Sequence, residues 1–214
     1  MRVAREGRPF IVASTAVLAG LLGLEALVPG RWWLAALAWT PIATWTPAFF
    51  RDPERSGPRD PRLVLAPADG KVVSVAEVDE PDFLKGPATR LSVFMNVFNV
   101  HINYCPADGR VAYRHYRPGA FFNATLDKAS DLNEQASLGI QTERGPVLVR
   151  QIAGLIARRI VTDPAPGDAV RQGARLGLIR FGSRVDTFVP RGARAAVPVG
   201  ARTTGGVSVI AEWA

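Results

Sequence analysis

Gly182 and Ser183 adjoin in the run Arg180-Phe181-Gly182-Ser183-Arg184-Val185-Asp186. Glycine takes backbone angles that other residues resist, and it leaves its carbonyl open. The hydroxyl of a following serine can attack that carbonyl in an N-to-O acyl shift. Elimination from the resulting ester gives a dehydroalanine, and water converts that to a pyruvoyl group. The step needs a small residue before the serine, a tight bend and a base nearby. Most Gly-Ser pairs mark only turns, so the pair alone says little. The sequence has 2 His, His101 and His115. A serine hydroxyl is a poor nucleophile until an imidazole takes its proton, and a carboxylate can fix the imidazole's tautomer. Taken alone, His101 reads as a strand histidine with a satisfied hydrogen bond. His115, in Tyr113-Arg114-His115-Tyr116-Arg117, reads as structural or substrate-adjacent. The single Cys, Cys105, has no disulfide partner and no companion for a metal site. It reads as a packed thiol in a reducing, cytoplasmic compartment.

These residues need elements to hold them. Phe10 to Val28 is an apolar stretch with Glu25 as its acid, Pro29-Gly30-Arg31 is a turn, and Trp32 to Phe50 is a second apolar stretch without charge. Each is near the length of a membrane-crossing helix. Arg2, Arg5 and Arg8 precede the pair, while Arg51 and Arg55 follow it. The arginine bias places both ends in the cytoplasm, with the stretches as a helical hairpin over 1–50. Pro41 and Pro47 leave a shallow re-entrant hairpin open. A cleaved signal peptide fits the Arg-rich start but not the second apolar stretch. Residues 51–62 form a Pro- and charge-rich linker.

From 63 to 214 the segments are short, alternating and β-branched: Lys71–Val78, Arg90–Asn99, Arg110–Tyr116, Pro146–Ile152, Arg158–Val161, Arg175–Phe181, Arg184–Val189 and Val207–Glu212. Gly and Pro punctuate them, which predicts a mainly β (α+β) fold, a β-sandwich or barrel-like soluble domain after the helical hairpin. Ala129–Leu138 is the one weakly helical segment, and 167–186 reads as a β-hairpin. No βαβ rhythm, dinucleotide fingerprint or phosphate loop occurs.

The net charge is +7 and the isoelectric point is near 10.4. Such a balance suits an anionic partner, nucleic acid or an anionic lipid surface. The basic residues are scattered, no nucleic-acid motif is present, and the apolar start favours lipid. Arg richness beside abundant Ala and Gly also fits genome composition.

The run around Gly182-Ser183, with the GD…G…LG approach from Gly167 to Gly177, resembles the processing site of phosphatidylserine decarboxylases of the short bacterial and archaeal branch. FFRDPER at 49–55, APADGKV at 66–72, FMNVFNVHINYCPADGRV at 94–111, YRPGAFFNATLDKASDLNEQ at 116–135 and QIAGLIARRIV at 151–161 resemble the same family in the same order. The resemblance implies self-cleavage between Gly182 and Ser183, giving a large subunit 1–182 and a small subunit 183–214 that stay together as a heterodimer. Ser183 becomes the covalent pyruvoyl cofactor and forms a Schiff base with the substrate amine. His101 matches the histidine that activates the serine, and Asp69 the acid that orients it. Neither metal nor pyridoxal phosphate is implied, and none of Lys71, Lys85 and Lys128 stands in a pyridoxal-like pattern. The substrate is phosphatidylserine in the cell (inner) membrane, with the catalytic domain on the cytoplasmic face. The product is phosphatidylethanolamine, with loss of CO2, in phospholipid biosynthesis; no nucleic-acid partner is expected.

Three positions depart from relatives. Arg184 follows Ser183, as in the short branch, where the longer branch has Ser or Thr. Phe98 stands where the longer branch keeps a second histidine. Gln135 replaces the arginine usual after Asn133-Glu134. The same chemistry on archaetidylserine is an alternative. A further one is a non-enzymatic, lipoyl-like membrane adaptor, but no lysine follows Lys128 to be modified.

The two apolar stretches predict that the protein pellets with membranes and stays there through a high-salt wash, because salt screens charge and not hydrophobic insertion. Release by salt alone would make the attachment charge-driven.

Overall fold

Backbone groups that leave water must find partners within the chain, and the two parts of this chain do so differently. The computed structural model describes residues 2–122, 132–154, 159–180 and 183–214. It divides into two compact units, Met1–Pro53 and Glu54–Ala214.

The first unit is helical. Helix α1 (Arg8–Leu27) begins with Pro9 in its first turn, where a missing N–H costs nothing. Arg31, with φ of 66°, ends the turn into helix α2 (Trp32–Phe49). Glu25 has a local reason in an apolar run: its carboxylate accepts from the Trp33 N–H at 3.3 Å, in the first turn of α2, where free N–H groups favour an anion. The Trp39 indole N–H donates to the Ser14 carbonyl at 3.0 Å and ties the helices together. Pro41 and Pro47 lie inside α2, and the hydroxyls of Thr40, Thr44 and Thr46 fold back onto backbone carbonyls. The stretch Arg5–Leu27, of mean hydropathy 2.0, is the one helix among the described residues long and apolar enough to cross a membrane. The second stretch, read from sequence as its equal, does not reach that apolarity, because threonines and prolines interrupt it.

The second unit is built of strands, fourteen among the described residues. They are β1 (Leu63–Leu65), β2 (Gly70–Glu80), β3 (Gly86–Met95), β4 (Ile102–Tyr104), β5 (Gly109–Arg117), β6 (Gln135–Gln141), β7 (Pro146–Ala153), β8 (Ile160–Thr162), β9 (Ala169–Val170), β10 (Arg175–Ile179), β11 (Ser183–Pro190), β12 (Ala193–Ala195), β13 (Arg202–Thr203) and β14 (Val209–Trp213). Eight form one curled antiparallel sheet in the order β13-β2-β3-β11-β7-β6-β5-β9, while β1-β14-β12 and β4-β10-β8 form two smaller sheets. The mainly β architecture after an apolar helix is the one expected.

Pleating sends alternate side chains to opposite faces. The inner face carries Val72, Val93, Met95, Leu138, Val149 and Val185, which join Leu176 and Ile179 of β10 in the main core. The outer face carries Ala88, Leu148 and Phe188 beneath Phe83 and Leu84. Strand β11 is therefore buried along almost its whole length.

Two expectations need correction. Residues 135–138, assigned to a weak helix, belong to β6. Its six leading residues are all buried, and packing on both faces overrides the helical leaning of Ala and Leu. Residues 129–131 of that segment lie outside the described ones. Nor is 167–186 a hairpin: β9 pairs with β5, β10 with β4 and β8, and β11 with β3 and β7. Gly173, with φ of +71°, turns the chain between β9 and β10. Gly177 then lets β10 press against its neighbour, since a Cβ there would lie 1.9 Å from the Val161 carbonyl oxygen.

Gly177→Ala should therefore force β10 and β8 apart and cost roughly 1–3 kcal/mol, read as a lower apparent Tm. Gly192→Ala, where a Cβ meets nothing within 4 Å, should leave the Tm unchanged. Equal Tm values for the two variants would refute the close approach.

Candidate active site

Ser183 opens β11, opposite Met95 of β3 on one side and Ala153 of β7 on the other. It is fully buried, and its hydroxyl has no hydrogen-bond partner among the described residues. A buried polar group left unpaired costs on the order of 1–3 kcal/mol; the hydroxyls of Ser92 and Thr187 in the same sheet share this state, so what sets Ser183 apart is its place directly after Gly182. Phe181 and Gly182, and with them the bond expected to be cut, lie outside the described residues.

His101 directly precedes β4 and is buried. Its Nδ1 lies 3.0 Å from the Asn99 carbonyl oxygen. A carbonyl only accepts, so Nδ1 carries a proton. The His101 carbonyl accepts from the Ile179 N–H at 3.3 Å, next to the point where β10 leads toward Ser183. One pleat further on, Asn103 reaches Met95 Sδ at 3.6 Å and accepts from Gln151 Nε2 at 2.8 Å. Met95, which Asn103 reaches, is the cross-strand neighbour of Ser183, so the strand that follows His101 packs at the Ser183 end of the large sheet.

Asp69 sits in the turn before β2. Its two carboxylate oxygens accept from Arg55 Nη2 at 2.9 and 2.8 Å, and Oδ1 also accepts from the Gly205 N–H at 2.7 Å. Arg55 in turn lies 5.6 Å above the Tyr104 ring and donates to the Tyr104 hydroxyl at 3.3 Å. Lys71 pairs with Phe94, so Asp69 stands at the same end of the sheet as Ser183 but two strands away, roughly 10 Å of backbone at ~4.8 Å per strand. Asp69 makes no hydrogen bond to His101 among the described residues; the Asn99 carbonyl occupies Nδ1 instead. Among the described residues the Ser183 hydroxyl makes no hydrogen bond to His101, and Asp69 has a different set of partners.

Several contributors escaped the sequence reading. Arg55 lies in the FFRDPER block, where an arginine was visible but its partner was not. Gln151, Asn103 and Thr162 form a satisfied polar chain inside the core, with Thr162 Oγ1 donating to Gln151 Oε1 at 2.6 Å. Glutamine and asparagine inside alternating strands gave no signal. Cys105 is the packed thiol expected, its pKa pushed up to about 12 by burial first and then by the charges of Asp108 and Asp163. His115 is exposed on β5, its ring 6.3 Å from that of Tyr113.

On the opposite face of β11, Arg184 and Asp186 are both buried. Arg184 Nη2 donates to Asp186 Oδ2 at 3.1 Å. Its Nε approaches Oδ1 to 2.9 Å, at an angle that makes this a charge contact rather than a hydrogen bond. Arg150 lies 4.8 Å over the Phe188 ring and pairs with Glu80 at 3.1 Å. A buried charge is tolerated only with such partners, so the pair fixes β11 immediately after Ser183.

Residues 42–211 match the family model described as phosphatidylserine decarboxylase. The chain is 46% identical to the phosphatidylserine decarboxylase proenzyme of Symbiobacterium thermophilum over 209 residues, 97% of this chain and 94% of that protein. It is 45% identical to the proenzyme of the same name from Azorhizobium caulinodans over 212 residues, 98% of this chain and 88% of that protein.

Arg184→Leu strands a buried carboxylate and should cost about 3–5 kcal/mol, whereas Arg184→Leu with Asp186→Leu should recover most of it. Thermal denaturation of the two proteins checks this; equal losses would mean that the pair is not what holds the strand.

Proposed function

The chain belongs to the phosphatidylserine decarboxylase family, and from that premise we propose that it decarboxylates phosphatidylserine to phosphatidylethanolamine and CO2 with a pyruvoyl group made from its own Ser183. The reading is carried by one observation, the buried Ser183 at the head of β11, whose hydroxyl has no hydrogen-bond partner among the described residues.

His101 Nε2 takes the Ser183 hydroxyl proton, and Oγ bonds to the carbonyl carbon of Gly182. The bond from that carbon to the Ser183 nitrogen then breaks, leaving residues 1–182 as an ester on Oγ and Ser183 with a free amine that collects the proton. Loss of the Ser183 α-proton expels the Gly182 carboxylate and leaves a dehydroalanine. Water replaces its nitrogen, released as ammonia, and a ketone remains at the new N-terminus of 183–214. General-base help of this kind is worth ~10²–10⁴ in rate.

A pyruvoyl group at this position fits a site walled by Met95 and Ala153 and supplies a carbonyl that takes the substrate amine and the electron pair left by CO2. The chain's own part is positional. Pairing on both sides fixes residue 183, burial excludes bulk water, and His101 is the group on hand to return a proton to the product. Asp69, held by Arg55 and the Gly205 N–H, acts on the cutting step by fixing the backbone at the same end of the sheet. The apolar Arg5–Leu27 helix anchors the enzyme in the cell membrane, with the catalytic unit on the cytoplasmic side and its role in phospholipid biosynthesis.

Intact mass measurement is the test. Wild type should appear as 1–182 and 183–214, the latter blocked to Edman chemistry. Ser183→Ala should stay whole and inactive, His101→Ala should accumulate uncut, and Asp69→Asn should cut more slowly than wild type but faster than His101→Ala. A single full-length mass from protein that decarboxylates phosphatidylserine would sink the proposal.

A further inference from the structure

Five of the six large apolar side chains that stand exposed on the described part of the second unit gather at one end of the large sheet. They are Phe98, Tyr116, Phe121, Phe122 and Leu132; the sixth, Val199, precedes β13. That end is defined by a row of paired residues running Lys71, Phe94, Arg184, Ile152, Gln135 and Arg117 across six strands. Phe98 follows β3 there, and Phe121, Phe122 and Leu132 lie between β5 and β6. Ser183 opens β11 at the same end. An exposed apolar cluster of this kind marks an interaction site rather than ordinary surface scatter.

The cluster is built, not loose. Asn96 and Asn99 clasp the turn that carries Phe98: the Asn96 N–H donates to Asn99 Oδ1 and the Phe98 N–H to Asn96 Oδ1, both at 2.9 Å. Asn133 holds the other side, accepting from the Phe122 N–H at 2.9 Å and donating to the carbonyls of Phe122 at 2.8 Å and Ala153 at 2.7 Å. Ala153 is the cross-strand neighbour of Ser183. The same backbone that presents the aromatics outward therefore frames the buried serine.

Charge decides what such a rim meets. Lys71, Arg117 and Arg159 are exposed at this end. Its described acids are engaged: Asp69 with Arg55, and the buried Glu134 accepting from the Tyr116 hydroxyl at 3.0 Å. Aromatic side chains ringed by cations suit the interface of an anionic bilayer, where rings sit at headgroup depth and cations meet phosphate. We propose that the rim of Phe98, Phe121, Phe122 and Leu132 seats the catalytic unit directly in an anionic lipid surface, with the end of the sheet that holds Ser183 turned toward the lipid. The inference rests on the phospholipid substrate proposed above and adds that the lipid is taken from within the bilayer.

The test uses the full-length protein in vesicles of phosphatidylcholine and phosphatidylserine, with one spin label each at Phe98→Cys, Phe121→Cys, Leu132→Cys and Glu143→Cys. Cys105 is buried and does not compete for label. Glu143 lies in the turn between β6 and β7, at the other end of the sheet. Rim labels should be relaxed by oxygen, which concentrates in bilayers, more than by a water-soluble nickel chelate, and the Glu143 label should show the reverse. The inference is overturned if the rim labels are as open to nickel as the Glu143 label, or if they are shielded from both reagents and broadened by a label on a second copy. Three rim positions keep the test alive if one substitution fails to fold. Intact mass on the same samples reports cutting at Ser183, so a failure of the pyruvoyl reading is seen separately from a failure of the rim to enter lipid.

Discussion

Strand β11 is hydrogen-bonded along both edges, to β3 and to β7, from its first residue. A residue paired on one side at the end of a strand frays; one paired on both sides does not. Ser183 thereby acquires a position fixed by backbone pairing, and its buried hydroxyl has no hydrogen-bond partner among the described residues. This double pairing is the constraint on which the rest of the site depends. It requires β3 and β7 to reach as far as the first residue of β11, where Met95 and Ala153 pair with Ser183, and it brings the turn after β3, which leads to His101, and Asn133, which donates to the Ala153 carbonyl, to the same end of the sheet.

The turn at residues 96–99 serves two directions at once. Outward it presents Phe98; inward its last carbonyl, that of Asn99, fixes the proton on His101 Nδ1. In the familiar triads a carboxylate holds that nitrogen; here the Asp69 carboxylate is instead locked by Arg55 and the Gly205 N–H into a clamp that ties residues near the start of the unit to its last strands.

Polar groups in this core are concentrated and partnered. Gln151, Asn103 and Thr162 satisfy one another on the inner side, and Arg184 with Asp186 do so on the outer side. Each pair fixes register, because a one-residue slip of a strand would turn its partner to the other face. The Ser183 hydroxyl has no hydrogen-bond partner among the described residues, and it shares that state with the buried hydroxyls of Ser92 and Thr187.

The sequence alone determined the class of the fold, because alternation of β-branched residues and regular Gly and Pro punctuation follow directly from pleat and turn geometry. It located the apolar helix by length and lack of charge, and it singled out Ser183, His101 and Asp69 through the blocks around them. It could not determine partners. Local pattern does not say that β10 leaves β11 for another sheet, since both read as apolar strands. It does not say that 135–138 are extended, since burial from both faces overrides their propensity. Nor does it say that Arg55 rather than His101 holds the Asp69 carboxylate, because Arg55 and Asp69 meet only once the chain has folded back. Strand order and the choice of hydrogen-bond partner are long-range properties, set by which faces are buried together, and only the tertiary structure decided them.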